Sequence, residues 1–146
     1  MEIHGMFANG VNVLAISKGG KFYAMTCAWA TQIDYDRFIM CIGGQSETNK
    51  ILEVGDMVGV SALSMDQKQI GMLIGTTHSL ETDKMKEGNF EFLSGCYVIP
   101  GAKNQLAGKI TRIDKYQESP EDKVIQIQVL DVRENKDKTF LNYKAE

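Results

Sequence analysis

The sequence predicts a mainly β fold, an antiparallel barrel, closed or split, with two short helices. Three observations lead there. Short runs rich in β-branched and aromatic residues, several alternating apolar with polar, dominate the chain, as strands do. Breaks such as Gly19-Gly20, Gly43-Gly44 and Pro100-Gly101 separate them. Helical signals follow only Gly44 and Ser64. So many strands leave edges exposed, and curling the sheet on itself removes them.

A chain of 146 residues fits one domain, 1–146, with one core. Its 43% apolar content is ordinary for a soluble protein. Net charge is -3 with both signs scattered, so no basic patch for nucleic acid is expected. No apolar run approaches the roughly 20 residues that span a bilayer. No signal peptide is visible. Cys27, Cys41 and Cys96 are odd in number and form no C-x-x-C pair. Together these features point to a reducing cytoplasm. His4 and His78 stand far apart, so no metal site is expected.

In chain order, Val11 to Lys18 reads as a strand apolar on both faces. Gly19-Gly20 is a two-residue hairpin turn. Phe22 to Ala30 is the next strand, and its faces differ. Tyr23, Met25, Cys27 and Trp29 form a large face for a core or a subunit interface. Phe22, Ala24, Thr26, Ala28 and Ala30 form a face that is small after its first residue. A planar ring can approach backbone over such a face; equally, an overlying helix can explain the alanines.

Thr31 to Arg37 is polar and acidic, which predicts a surface bend. Phe38 to Ile42 is a short strand, and Gly43-Gly44 frees the backbone for a close approach. Ser46 or Thr48 caps a short helix that carries Ile51, Leu52 and Val54 and stops at Gly55. The free N–H groups of such a helix start, with Gln45, the hydroxyls, Asn49 and Lys50 beside it, suit a phosphate. Plain capping is the competing reading. The dipole alone contributes only ~0.3–1 kcal/mol, so hydroxyl and Lys50 contacts would be needed too. The segment does not match the G-x-x-x-x-G-K-[ST] phosphate loop.

Met57 to Leu63 is a strand, and Ser64-x-x-Gln67 forms a capping box. The helix after it turns Ile70, Leu73 and Ile74 inward and ends at Gly75; Gly71 weakens it. Thr76 to Asn89 is a polar loop or partly helical lid, and His78 and Lys84 are its candidates for function. Phe90 to Ile99 gives one or two short strands. Gln105 to Tyr116 and Val124 to Val132 form a long hairpin, with Ile125, Ile127 and Val129 on its buried face. In the charged tail, Phe140, Leu141 and Tyr143 are placed to dock on a neighbour.

Several of these segments resemble one family. Tyr23 to Gln32, YAMTCAWATQ, resembles the G-M-T-A-S-W-x-T-Q segment of flavin reductase-like, FMN-binding split-barrel proteins, flavoredoxins among them. Ser46-x-Thr48-x-x-Ile51 resembles the family's S/Y-x-T-x-x-I helix start. Val58 to Ser64 resembles its F-x-V-N-V-L-S strand, Asp66-Gln67 its D-Q, and Asp83-Lys84-Met85 its D-K-F. The likeness runs over roughly residues 10 to 116, in the family's order. It departs at Ala28, where the family has serine, and at Arg37-Phe38, where it has Pro-Pro.

The resemblance implies an FMN-binding split barrel, usually a homodimer with FMN or FAD at the interface. By it, Met25, Thr26, Cys27, Ala28 and Trp29 hold the isoalloxazine edge through backbone. Ser46, Thr48, Asn49 and Lys50 hold the phosphate, helped by Lys84; Gly44 and Gln45 also bind the cofactor, and His78 lies near the ring or on the nicotinamide side. The implied activity is NAD(P)H-dependent flavin reduction, hydride passing from nicotinamide to flavin. No acid or base residue is named. Reduced flavin would leave for another enzyme or give electrons to a redox partner protein. Two alternatives stand: a flavoredoxin-like electron carrier with tightly bound FMN, and a barrel that has lost flavin.

Overall fold

The computed structural model describes residues 1, 6–76, 83–115 and 121–143. In chain order the strands are β1 (Asn9–Gly10), β2 (Asn12–Lys18), β3 (Lys21–Cys27), β4 (Ala30–Asp34) and β5 (Arg37–Ile42). They continue as β6 (Met57–Ala62), β7 (Glu91–Leu93), β8 (Cys96–Val98), β9 (Asn104–Lys115), β10 (Lys123–Glu134) and β11 (Asn142–Tyr143). The helices are α1 (Glu47–Ile51), α2 (Lys68–Thr76) and α3 (Lys84–Gly88), with a 3-10 turn at Met65–Gln67 before α2.

Seven strands make one antiparallel sheet in the order β3-β2-β6-β9-β10-β5-β4. Its edge strands are β3 and β4, yet only Ala28 and Trp29 separate them in the chain. Two residues span at most ~7 Å, far less than the width of six strand spacings at roughly 4.8 Å each. A flat sheet is therefore impossible, and the sheet must curl until its edges meet. At the seam Cys41 N–H donates to the Trp29 carbonyl at 2.9 Å. The Cys27 thiol reaches the Trp29 carbonyl at 3.4 Å and the Cys41 carbonyl at 3.1 Å. No regular ladder joins β3 to β4, so the architecture is the expected split barrel.

The barrel interior is filled by Leu14, Met40, Ile42, Val58, Ile110, Ile125 and Ile127, each almost wholly buried. Full burial of one such side chain is worth about 1.5–3 kcal/mol, so this cluster outweighs exposed ion pairs such as Arg112–Asp114. A second cluster lies outside, where Val13, Ala15 and Ala24 meet Leu63, Ile74 and Ile99. Strand β2 is thus buried on both faces, as its pattern predicts. Gly19 and Gly20 take positive φ in the expected hairpin turn. The capping box is present, with Ser64 N–H donating to Gln67 Oε1 at 3.0 Å.

Several boundaries differ from the sequence reading. Strand β3 stops at Cys27 because the chain leaves it there to cross the seam. Trp29 therefore falls out of the alternation and stands 62% exposed. Of Thr31 to Arg37 only Tyr35 and Asp36 form the surface turn: Ala30–Asp34 is an edge strand, exposed after Ala30, which leaves no apolar pattern to read. Helix α1 ends at Leu52, not Gly55, as extended backbone takes the Leu52 side chain into the barrel core and leaves Val54 outside.

Helix α2 runs past Gly75 to Thr76, and Leu73 points outward because Gly71 and Ile74 share the inner face. Three helices form rather than two, since α3 takes up part of the predicted lid, N-capped by Asp83. Residues 90–99 form the β7–β8 hairpin, turned at Ser94 and Gly95. The long hairpin is β9–β10. The tail docks on its own chain, β11 pairing with β1 and Leu141 joining the outer cluster.

Gly59 is fixed by packing. A Cβ there would lie 1.9 Å from the Tyr97 carbonyl oxygen where β8 crosses β6, whereas a Cβ at Gly43 meets nothing within 4 Å. Gly59→Ala should lower the melting temperature by several degrees, since overpacking costs about 1–3 kcal/mol. Gly43→Ala should leave it unchanged. Calorimetry on both variants checks this; equal melting temperatures would contradict it.

Candidate functional site

A groove of about 1220 Å³ opens where β3, the seam, α1 and α2 converge. Its floor is the end of β3, Ala24 to Cys27, continued by Ala28 and Trp29. The Ala24 carbonyl points off the sheet edge and accepts from Lys84 Nζ at 2.7 Å. The Cys27 carbonyl points the other way, to Asn12 Nδ2 at 3.1 Å. Backbone groups alternate direction along a strand, so the Thr26 N–H and C=O share the open edge with Ala24. The small side-chain face serves another purpose. Thr26 Oγ1 donates to the Gly71 carbonyl at 2.7 Å, and a Cβ on Gly75 would lie 3.1 Å from Thr26 Cβ. There the small residues admit α2, the reading in which an overlying helix explains them.

Cys41, Gly43, Gly44, Gln45, Ser46 and Glu47 form the wall beside α1. Ser46 caps α1, its Oγ accepting from Thr48 N–H at 3.1 Å. Gly44 is a packing glycine as much as a flexible one. A Cβ there would lie 2.4 Å from Glu121 Cβ, and its N–H is held by Asp122 Oδ1 at 2.8 Å.

The predicted phosphate group divides. Gly44, Gln45, Ser46 and Lys84 line the groove together with Met25, Thr26, Cys27, Ala28 and Trp29; Thr48, Asn49 and Lys50 do not. Asn49 is buried, its amide tying the Ile42 carbonyl at 2.9 Å to the Glu121 carbonyl at 3.0 Å. Lys50 is exposed. Thr48 is 1% exposed, and its Oγ1 is buried with no hydrogen-bond partner among the described residues. His78 lies outside the described residues. Sequence reasoning missed Val11, Met65, Lys68, Met72, Leu141 and Asp122. They come from distant segments with no shared local pattern.

Electrostatically the groove is mixed. Lys84 is 4% exposed. Burial pushes its ammonium pKa down, partly offset by the charge of Glu47. Burial pushes the Cys27 thiol up to about 11, so it stays protonated as a hydrogen-bond donor. Among the described residues no cluster of three metal-ligating side chains occurs. No helix among them is long and apolar enough to cross a membrane.

A curled, split barrel with a nucleotide-sized groove at its seam defines a class of flavin-associated folds, and the comparisons agree. The chain belongs to the flavin reductase like domain family, whose model matches residues 4–146. Among solved structures it is similar to a Streptomyces globisporus NADH:FAD oxidoreductase, at TM-score 0.81 and 17% identity over 92% of this chain and 80% of that one. It is similar to an FMN-binding protein from Thermus thermophilus with bound p-hydroxybenzaldehyde, at 0.81 and 15% over 92% and 77%. It is also similar to a flavin reductase domain protein from an Arthrobacter species, at 0.79 and 18% over 93% and 83%. At such identities the likeness bears on the fold alone. No curated protein sequence matches this chain.

Two predictions follow from the titrating groups. Cys27 should resist a thiol reagent in native protein at pH 8 and react at once in denaturant; rapid native labelling, located by mass spectrometry, would contradict this. For Lys84, a lowered folded pKa means the unfolded chain binds more protons below 10.5, so stability should rise as pH climbs toward that value. Lys84→Met should flatten this rise in urea-melt free energies, and an unaltered pH slope would count against it.

Proposed function

We propose that this protein binds FMN in the seam groove and works as an NAD(P)H-dependent flavin reductase. The observation that carries the reading is the groove itself. Open strand-edge backbone at Thr26 lies in one cavity with the α1 start and a buried lysine. Its volume exceeds the roughly 300–1,000 Å³ of ordinary small-molecule pockets, leaving room for a second nucleotide.

The residues fit such a ligand. Ala28 leaves space for a planar ring beside the strand, and the Thr26 N–H and C=O can bond a heterocyclic edge. Trp29, exposed at the rim, supplies an aromatic face. At the phosphate end Ser46 offers a hydroxyl and Lys84 a positive charge. Lys50 drops out of the assignment because it faces solvent away from the groove.

When bound, a flavin supplies the hydride and electron chemistry. This chain's residues orient it, and the protonated Cys27 thiol keeps the seam carbonyls in place. FAD is the alternative ligand of the same groove. The homodimer, the redox partner protein and the cytoplasmic setting belong to this same proposal.

Trp29 is the sole tryptophan, which gives a direct assay. FMN should quench its fluorescence with a saturable, one-site curve. Lys84→Met should weaken that binding about tenfold, a contact to a charged group being worth roughly 1.5–3 kcal/mol, while Lys50→Ala should leave it within about twofold. With excess FMN, NADH or NADPH should be consumed at a rate proportional to enzyme. Quenching without turnover would leave an electron carrier and overturn the reductase reading; no quenching would overturn flavin binding.

A further inference from the structure

One wall of the groove is built by a segment that crosses the molecule after β10. The Thr139 carbonyl accepts from Met65 N–H at 3.0 Å, and Leu141 N–H donates to the Leu63 carbonyl at 2.9 Å. Lys138 Nζ meets Asp66 Oδ2 at 2.7 Å across the 3-10 turn. Asn142 then pairs with Gly10. Leu141 and Asn142 line the groove, and so do Met65 and Lys68 of the stretch that this segment grips.

The fastening is light. Among the described residues it consists of two main-chain hydrogen bonds to residues 63–65, a two-residue strand pair, one exposed ion pair and Lys103 Nζ lying 5.9 Å from the Phe140 ring. Phe140 is 47% exposed, and only Leu141 packs into a core cluster. By contrast β9 and β10 pair along twelve residues each. Segments with few buried contacts open locally at low free energy.

We propose that residues 138–143 form a detachable wall of the groove, latched by the Lys138–Asp66 ion pair, whose docking sets how tightly the groove holds a nucleotide. The nucleotide clause rests on the flavin reading above; the latch does not. A ligand touching Leu141, Asn142 and Met65 favours the docked wall, and by reciprocity the docked wall favours the ligand. Asp66 itself is outside the groove lining, so its effect on binding acts through the wall. The Lys138 ammonium and the Ser64 hydroxyl hold its carboxyl below the usual range, so Asp66 is a carboxylate at neutral pH.

Amide hydrogen exchange at Met65 and Leu141 tests the latch without ligand. Asp66→Asn and Lys138→Met should each speed both amides together by about two- to fivefold, the size an exposed ion pair supplies. Asp114→Asn, which removes the Arg112–Asp114 pair on β9, should leave them unchanged. Added FMN should slow both amides by a factor that grows with its occupancy of the groove, in the unmodified protein and in the two latch variants alike. Unchanged exchange in the latch variants would overturn the proposal, as would bound FMN that slows neither amide. If the unmodified protein takes up no FMN, the flavin reading fails, and the exchange rates alone decide the latch.

Discussion

The structure depends on a length constraint. Strands at opposite edges of a seven-stranded sheet are joined by Ala28 and Trp29 alone. The sheet has to close on itself, and the closure is incomplete because two residues cannot also maintain a ladder. What remains is a seam where backbone groups face outward. The Cys27 thiol and the Cys41 N–H pin its inner side. Its outer side is left to the groove.

That seam explains the position of the site. Helix α1 follows β5, α2 packs on the small face of β3, and α3 reaches β3 through Lys84. Three short helices thus converge on one strand end, each bringing polar groups to an otherwise apolar surface. The barrel interior carries the stability, with Ile110, Ile125 and Ile127 fully buried, while the groove has the exposed Trp29 at its rim and a buried lysine. Polar groups collected at one place, on a well-packed scaffold, are what a binding site requires.

The fold was largely legible in the sequence because its strands bury one or both faces. Val13 to Ile16 and Phe38 to Ile42 advertise their burial as continuous apolar runs, and Ile125 to Val129 by period two. What failed to show was edge structure. β4 is solvated after Ala30, so nothing in its composition marks a strand. The floor of the groove, Met25 to Trp29, and the Ser46 cap were readable as local motifs. Asn49 and Lys50 stand next to the cap in sequence but do not line the groove: Asn49 bonds the Ile42 and Glu121 carbonyls and Lys50 is exposed. The Leu141 and Met65 wall is tertiary, and no local pattern announces it.

The central claim is that the seam groove is where this protein holds a flavin nucleotide. A two-dimensional amide NMR titration of the whole chain with FMN tests it most directly. The account predicts that the largest shifts fall on the amides of Thr26 to Trp29 and Gly43 to Ser46, saturating together. Shifts confined to residues far from the seam, such as 109–115 of β9, or no shifts at all, would contradict it.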